Sequence, residues 1–334
     1  MDARLTDISI NMPSRLDTIS AVLSLALPRR DLTGVTKCAF DFCGCTFGEP
    51  LPLLLLGREI RALVRRWPDV EYTCVSRHSN FRGYADHIGF FKYAGFARGN
   101  SPGEASGSGS YIPIQVIDLE ELRAASGDRP YAEIVVEKSA ELTRILTQQS
   151  SGDAFLAIDY AVREMMRNAV EHSHSPVLVL FGQYWPALQK AEIVLFDSGI
   201  GISCALAESG MLSTDSDEEA LRFALQPGIT GVSQHERSFQ DVNWANSGFG
   251  LFVTSRFCAE RGLFRVISGN AGLTLNGSSL VPHDWKFDGT CVQLKIDAGT
   301  FDGAGERIAQ IVREGEREAR EQGREVSASP GSSS

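Results

Sequence analysis

The chain has no apolar run of the roughly 18 residues that a membrane-spanning helix requires. Its longest, Leu51 to Leu56, contains Pro52 and fits a buried strand or the start of a helix. Met1 to Asn11 lacks the basic-then-apolar order of a secretory signal, so the expected address is cytoplasmic. Basic charge is short as well: 32 Lys and Arg stand against 42 Asp and Glu, a formal net charge of −10. Affinity for a nucleic-acid backbone comes from neutralised phosphates, so an acidic chain without a basic cluster is not expected to bind nucleic acid in general. Arg58, Arg61, Arg65 and Arg66 read as one solvated helix face. Seven cysteines, an odd number at irregular spacing, argue against a disulfide framework. Cys38, Cys43, Cys45 and Cys74 make one short cluster where a zinc site usually shows two paired knuckles, so no structural metal is expected.

What is present is the composition of a soluble globular protein, 43% hydrophobic and 22% charged over 334 residues, enough for two domains. Ala97 to Ser110 (ARGNSPGEASGSGS) has almost no apolar content and reads as a flexible linker or long exposed loop between two halves. The expected division is 1–96, a linker and connecting strand over 97–130, a second domain over 131–300, and a frayed polar helix with a disordered tail over 301–334. In the first half the pattern predicts strands at Ile8–Met12, Lys37–Phe42 and Val70–Val75. It predicts helices at Ser14–Leu27, Leu51–Arg66 and Ala85–Gly95. Alternating strands and helices of this length indicate an α/β domain. In the second half it predicts helices at Tyr131–Gln148 and Asp153–His172, with Asp153 as N-cap, and a helix from Gly250. Strands are expected at Tyr111–Ile117, Val177–Phe181, Ala191–Phe196, Leu263–Ser268, Gly272–Leu275 and Thr290–Ile296, a two-layer α/β sandwich. Trp67, Trp185, Trp244 and Trp285 are scattered and assigned to packing.

Three short motifs carry chemistry. Glu164, Asn168 and His172 lie four apart and stack along one helical face. An Asn amide oxygen can hold Mg²⁺ beside a polyphosphate, and a carboxylate one turn away can orient or deprotonate a hydroxyl or water. The plain alternative is an amphipathic helix with its polar side to solvent. Asp197-Ser198-Gly199-Ile200-Gly201 follows an apolar strand, where a carboxylate can accept from an adenine amino group and glycines admit a flat base. A simple turn would look the same. Asn246-Ser247-Gly248-Phe249-Gly250-Leu251 opens a helix, and glycine-rich backbone there favours an anion such as phosphate. Alone it is equally a loop.

In this order the motifs resemble the GHKL superfamily of ATPases and kinases, which use the Bergerat ATP-binding fold. Glu164 and Asn168 match its N box, Asp197, Gly199 and Gly201 its first glycine box, and Gly248 and Gly250 its second. Gly289-Thr290 and the strand after it match its final element. The resemblance implies ATP and Mg²⁺ as cofactors. It implies that Asn168 coordinates Mg²⁺, Asp197 reads the adenine amino group, Gly201 lies against the base and Thr290 helps bind it. Gly248, Phe249, Gly250 and Leu251 would cradle the phosphates, and Ser203 to Ala245 would form a mobile lid. Within that lid, Gly228 and Thr230 of the turn Pro227-Gly228-Ile229-Thr230-Gly231 would be a phosphate-side contact or hinge. Glu164 would be the base.

The N-box wording Glu-x-x-x-Asn-Ala-x-Glu-His is closest to the anti-sigma-factor serine kinases. Fewer than forty residues follow Thr300, so a transducer domain is not expected, and the helix Tyr131–Gln148 has no phosphoacceptor His. The first half resembles a STAS-like domain through Asp41-Phe42, Thr46-Phe47, the apolar helix after them and Gly89-Phe90-Phe91. Where regulatory members carry a phosphorylatable hydroxyl, this chain has Glu49-Pro50-Leu51-Pro52, which points to a scaffold or docking role. The expected partners are a nucleotide and a protein docked on the STAS-like half, with a homodimer left open. Three functions stay in play: an ATP-binding regulator with slow hydrolysis, a serine/threonine kinase acting on another chain, and a nucleotide-binding module without turnover.

Overall fold

The computed structural model describes residues 6–77, 79–124, 131–229, 249–297 and 303–324. It is mixed α/β and divides into two compact units, residues 1–115 and 116–334. The tail from residue 325 and Trp244 lie outside the described residues.

The first unit holds a parallel sheet of β1 (Thr6–Asn11), β3 (Val35–Asp41) and β5 (Glu71–Val75), with β3 in the middle. Ile10 pairs with Phe40, and Phe40 with Cys74, so one row of the sheet is apolar across all three strands. Helix α2 (Pro50–Arg66) starts with proline in its first turn, where a missing N–H costs nothing, and buries Leu51, Leu53, Leu54, Leu56, Ile60 and Leu63. The helix expected over Ser14–Leu27 is shorter. Arg15–Leu16 forms β2 against β4 (Phe47–Gly48), and Thr18 Oγ1 then accepts the Ala21 N–H, starting α1 only at Ile19 (Ile19–Leu23). A further short turn at Leu27–Arg29 has Pro28 in it. The helix expected over Ala85–Gly95 is two, α3 (Asn80–His87) and α4 (Phe90–Tyr93), separated at Gly89 with φ +82°. The polar stretch 97–110 is tied down: Asn100 N–H donates to the Asp86 carbonyl, Gly103 N–H to the Ile114 carbonyl, and Arg98 forks onto the Asp86 carboxylate.

The second unit is built on a seven-stranded sheet in the order β11-β10-β9-β12-β8-β7-β6. These are β6 (Tyr111–Asp118, at whose Gln115 the units divide), β7 (Val177–Trp185), β8 (Lys190–Asp197), β9 (Gly262–Gly269), β10 (Ala271–Asn276), β11 (Ser279–His283) and β12 (Phe287–Asp297). From β7 to β11 every neighbouring pair is antiparallel. β11 was not expected, although Asn276-Gly277 is a hairpin signal, with Gly277 at φ +55° and Asn276 paired with Ser279. Also unexpected is α5 (Leu119–Ala124), capped by Asp118 Oδ1, which accepts the N–H groups of Glu120 and Glu121.

Helix α6 (Tyr131–Thr147) packs on α7 (Asp153–His172), whose cap is Gly152 and not Asp153. After β8 come α8 (Gly201–Glu208) and α9 (Asp217–Ala224), and β9 is preceded by α10 (Gly250–Glu260). The C-terminal helix α11 (Ala304–Glu321) is not a frayed solvated one. It buries Ala304, Ile311, Gly315 and Ala319 and packs on α10 and α7. Its Arg307 ion-pairs with Glu260 of α10.

Candidate functional site

On α7 the spacing 164, 168, 172 puts Glu164, Asn168 and His172 into one cleft, with Met165 and Ala169 beside them. The cleft opens to solvent, and the empty space within it, open mouth included, is about 1030 Å³. Glu164 is 6% exposed, and its Oε1 accepts from Arg167 Nη1 at 2.8 Å. Arg167 Nε also lies 3.5 Å from Glu171 Oε1, so one guanidinium serves two carboxylates. Burial pushes the Glu164 carboxyl above its ordinary 4.5, with Arg167 pulling the other way. The Asn168 side chain makes no hydrogen bond among the described residues.

Asp197 ends β8, 5% exposed, with Leu178 of β7 opposite on one side and Thr290 of β12 on the other. All three line the cleft, as do Leu195 and Val292 one step along the sheet. Asp197 Oδ1 accepts the Gly199 N–H at 2.8 Å. Gly199 does not line the cleft; it lies against the Ser173 carbonyl, which accepts the Ile200 N–H at 2.8 Å. Ser175 Oγ accepts the Ser198 N–H at 3.0 Å. Ser268 Oγ accepts the Ile202 N–H and donates to the Gly289 carbonyl, both at 2.9 Å, which fixes Gly201 at the start of α8. These serines position the loop, and local sequence gives no sign of them, since Ser268 lies 66 residues from Ile202.

Gly250 and Leu251, the first residues of α10, line the cleft opposite Glu164. A Cβ on Gly250 would stand 2.5 Å from Glu164 Oε2, so only glycine lets this helix start approach α7 so closely. Two of the expected phosphate contacts are elsewhere. Phe249 is fully buried in edge-to-face contact with Phe252, a core side chain. Gly228 sits against Ala319 and Arg324 and does not line the cleft, although its neighbour Ile229 does. Thr230, Gly248 and the lid segment 230–248 lie outside the described residues. The described start of that lid, 203–229, is ordered as α8 and α9 over an apolar cluster of Leu206, Ala220, Ala224 and Ile229. Asp217 fastens α9 to the sheet by accepting the Asn270 N–H at 2.8 Å.

Apolar side chains, Leu178, Leu195, Ile202, Val266 and Val292 among them, form most of the walls, suited to a flat ring. No Lys or Arg lines the cleft among the described residues. Negative charge on a ligand would therefore be met by the N-termini of α8 and α10, whose first residues open into the cleft, and by a cation. A scan of protein-family models finds no match to the chain, and no curated protein matches it.

Proposed function

We propose that the cleft binds magnesium-ATP in the manner of the GHKL superfamily, and that the protein is a nucleotide-operated regulator that turns ATP over slowly. One observation carries the reading: Glu164, Asn168, Asp197, Gly201, Gly250, Leu251 and Thr290, from four separate stretches of chain, line a single, mostly apolar cleft. On this reading the base lies beside Asp197 and Thr290, and the phosphates face α7 and the start of α10. Asn168 fits as the magnesium ligand, because its amide faces the cleft with no hydrogen-bond partner among the described residues. Bound magnesium would neutralise phosphate charge and polarise the γ-phosphoryl group.

Hydrolysis and phosphotransfer would both draw on Glu164, and its pair with Arg167 restrains either. The Arg167 guanidinium opposes the burial that raises the Glu164 carboxyl, so it takes back part of the basicity that burial gives this group toward water or a hydroxyl. The first unit is proposed as the STAS-like docking half, with no hydroxyl at Glu49-Pro50-Leu51-Pro52 to be phosphorylated.

Calorimetry tests the binding. Wild type should take up one ATP with an affinity that rises when magnesium is added. Asn168→Ala should lose most of that rise, at least about tenfold, since even outer-shell partners of a metal are worth 10–100-fold. Titrations that are superimposable for both proteins, with and without magnesium, would remove Asn168 from the site.

Turnover tests the base. Glu164→Gln keeps an acceptor for Arg167, so it should hold ATP within about threefold of wild type while phosphate release stops. In wild type the rate should rise with pH as Glu164 ionises, and burial places that rise above the ordinary 4.5. Release that continues in Glu164→Gln with the same pH profile would mean that another group activates water.

A further inference from the structure

Helix α11 lends no residue to the lining of the cleft, but it holds two of the segments that do. Arg324, just past its end, donates from Nη1 to the Pro227 carbonyl at 2.9 Å and from Nη2 to the Gln226 side-chain oxygen. Its guanidinium carbon also lies 5.4 Å from the Phe223 ring centre. One turn earlier, Ala319 Cβ is 3.5 Å from where a Cβ on Gly228 would stand. Residues 223–229 are the end of α9 and the turn after it, and they carry Ala224 and Ile229 into the cleft.

The same face of α11 reaches the opposite wall. Ile311, Gly315 and Ala319 recur every four residues and are buried. A Cβ on Gly315 would stand 2.5 Å from Phe252 Cε1 and 3.1 Å from Phe249 Cε1, so α11 lies directly on the start of α10. Phe249 caps that helix, and the next two residues, Gly250 and Leu251, line the cleft. Leu251 and Ile229 meet in the apolar cluster with Leu206, Ala220 and Ala224. One helix therefore braces both walls from outside.

We propose that α11 sets the position of the Ala224–Ile229 wall, with Arg324 as the positioning residue, and that its docking is coupled to ligand in the cleft. An exposed ion pair would contribute little. Arg324 instead forks onto one backbone carbonyl, one side-chain amide oxygen and an aromatic face in one turn, which fixes a geometry. Coupling of this kind is reciprocal: a ligand that favours the braced wall must tighten the helix, by the same factor that the helix tightens the ligand. Only the choice of probe, magnesium-ADP, rests on the nucleotide reading.

The test uses the full chain and compares wild type with Arg324→Ala and Arg324→Lys. Without ligand, hydrogen exchange over residues 220–229 should speed up by about tenfold or more in Arg324→Ala, while residues 177–197 of the sheet stay as in wild type. Magnesium-ADP should bind Arg324→Ala more weakly by at least about fivefold, the lower end of ordinary coupling. Arg324→Lys, with one donor group and no fork, should fall between the two. In wild type, saturating ADP should also slow exchange over 304–324. Unchanged exchange at 220–229 in Arg324→Ala overturns the proposal. Faster exchange there with wild-type ADP affinity overturns the coupling and leaves a strut. If wild type itself takes up no ADP, the nucleotide reading fails, and the ligand-free exchange comparison alone decides the positioning role.

Discussion

Asp197→Asn is expected to weaken magnesium-ATP binding by about a hundredfold, roughly 3 kcal/mol for a lost hydrogen bond to a charged acceptor that leaves a buried donor unmatched. Ionised Asp197 can only accept, and its Oδ1 already takes the Gly199 N–H. The Asn variant can keep that bond through its amide oxygen, so the loop stays folded, but its NH₂ then faces the cleft. A ring amino group would meet a donor where it needs an acceptor. The loss should be specific to the base: ATP and adenosine should weaken by similar factors, since neither depends on the triphosphate for this contact. Calorimetry with both ligands measures it. Affinities matching wild type for both would mean that Asp197 serves only the turn.

Gly199→Ala should be the most damaging single methyl group in the second unit's 197–201 loop. Its Cβ would overlap the Ser173 carbonyl oxygen, which is backbone and already accepts the Ile200 N–H. Relief requires moving the whole 197–201 loop, which would also break the Gly199 N–H bond to Asp197. Overpacking and buried hydrogen bonds together suggest about 4 kcal/mol, and a fall in melting temperature of about 10 °C for a unit of this size. A thermal melt of the variant checks the size of the effect. A melting temperature within 2 °C or so of wild type, a shift worth only about 1 kcal/mol, would show that this approach is looser than the geometry indicates.

Much of the second unit is legible in the sequence because its elements are locally patterned. β8 ends in the apolar run Ile193, Val194, Leu195 and Phe196 just before Asp197, β12 carries Cys291, Val292, Leu294 and Ile296 after Thr290, and the 164/168/172 spacing needs only a helix to bring those groups together. What escapes local reading depends on distant partners. Ser173, Ser175 and Ser268 look like ordinary loop and strand serines until their hydroxyls and carbonyls are seen holding the 198–202 backbone. Phe249 sits within a glycine-rich motif and reads as part of the cradle, but an aromatic ring with a core beside it is drawn inward. Gly228 is turned to α11, a helix whose apolar stripe is too sparse among alternating Arg and Glu to be noticed in sequence. In the first unit, Thr18 offers a better helix start than Ser14, and the chain before it pairs as a strand instead.

The Arg167 guanidinium, shared between Glu164 at 2.8 Å and Glu171 at 3.5 Å on the same two turns of α7, has a kinetic meaning under the proposed reading. A cation on the same helix takes back part of the basicity that burial gives the carboxyl, in every cycle and whatever the ligand concentration. A slower cleavage step would lengthen the interval in which the loaded state can be met by a docking protein. In such a molecule the arginine acts as the escapement of a clock, setting the tick and not what the clock is wound with.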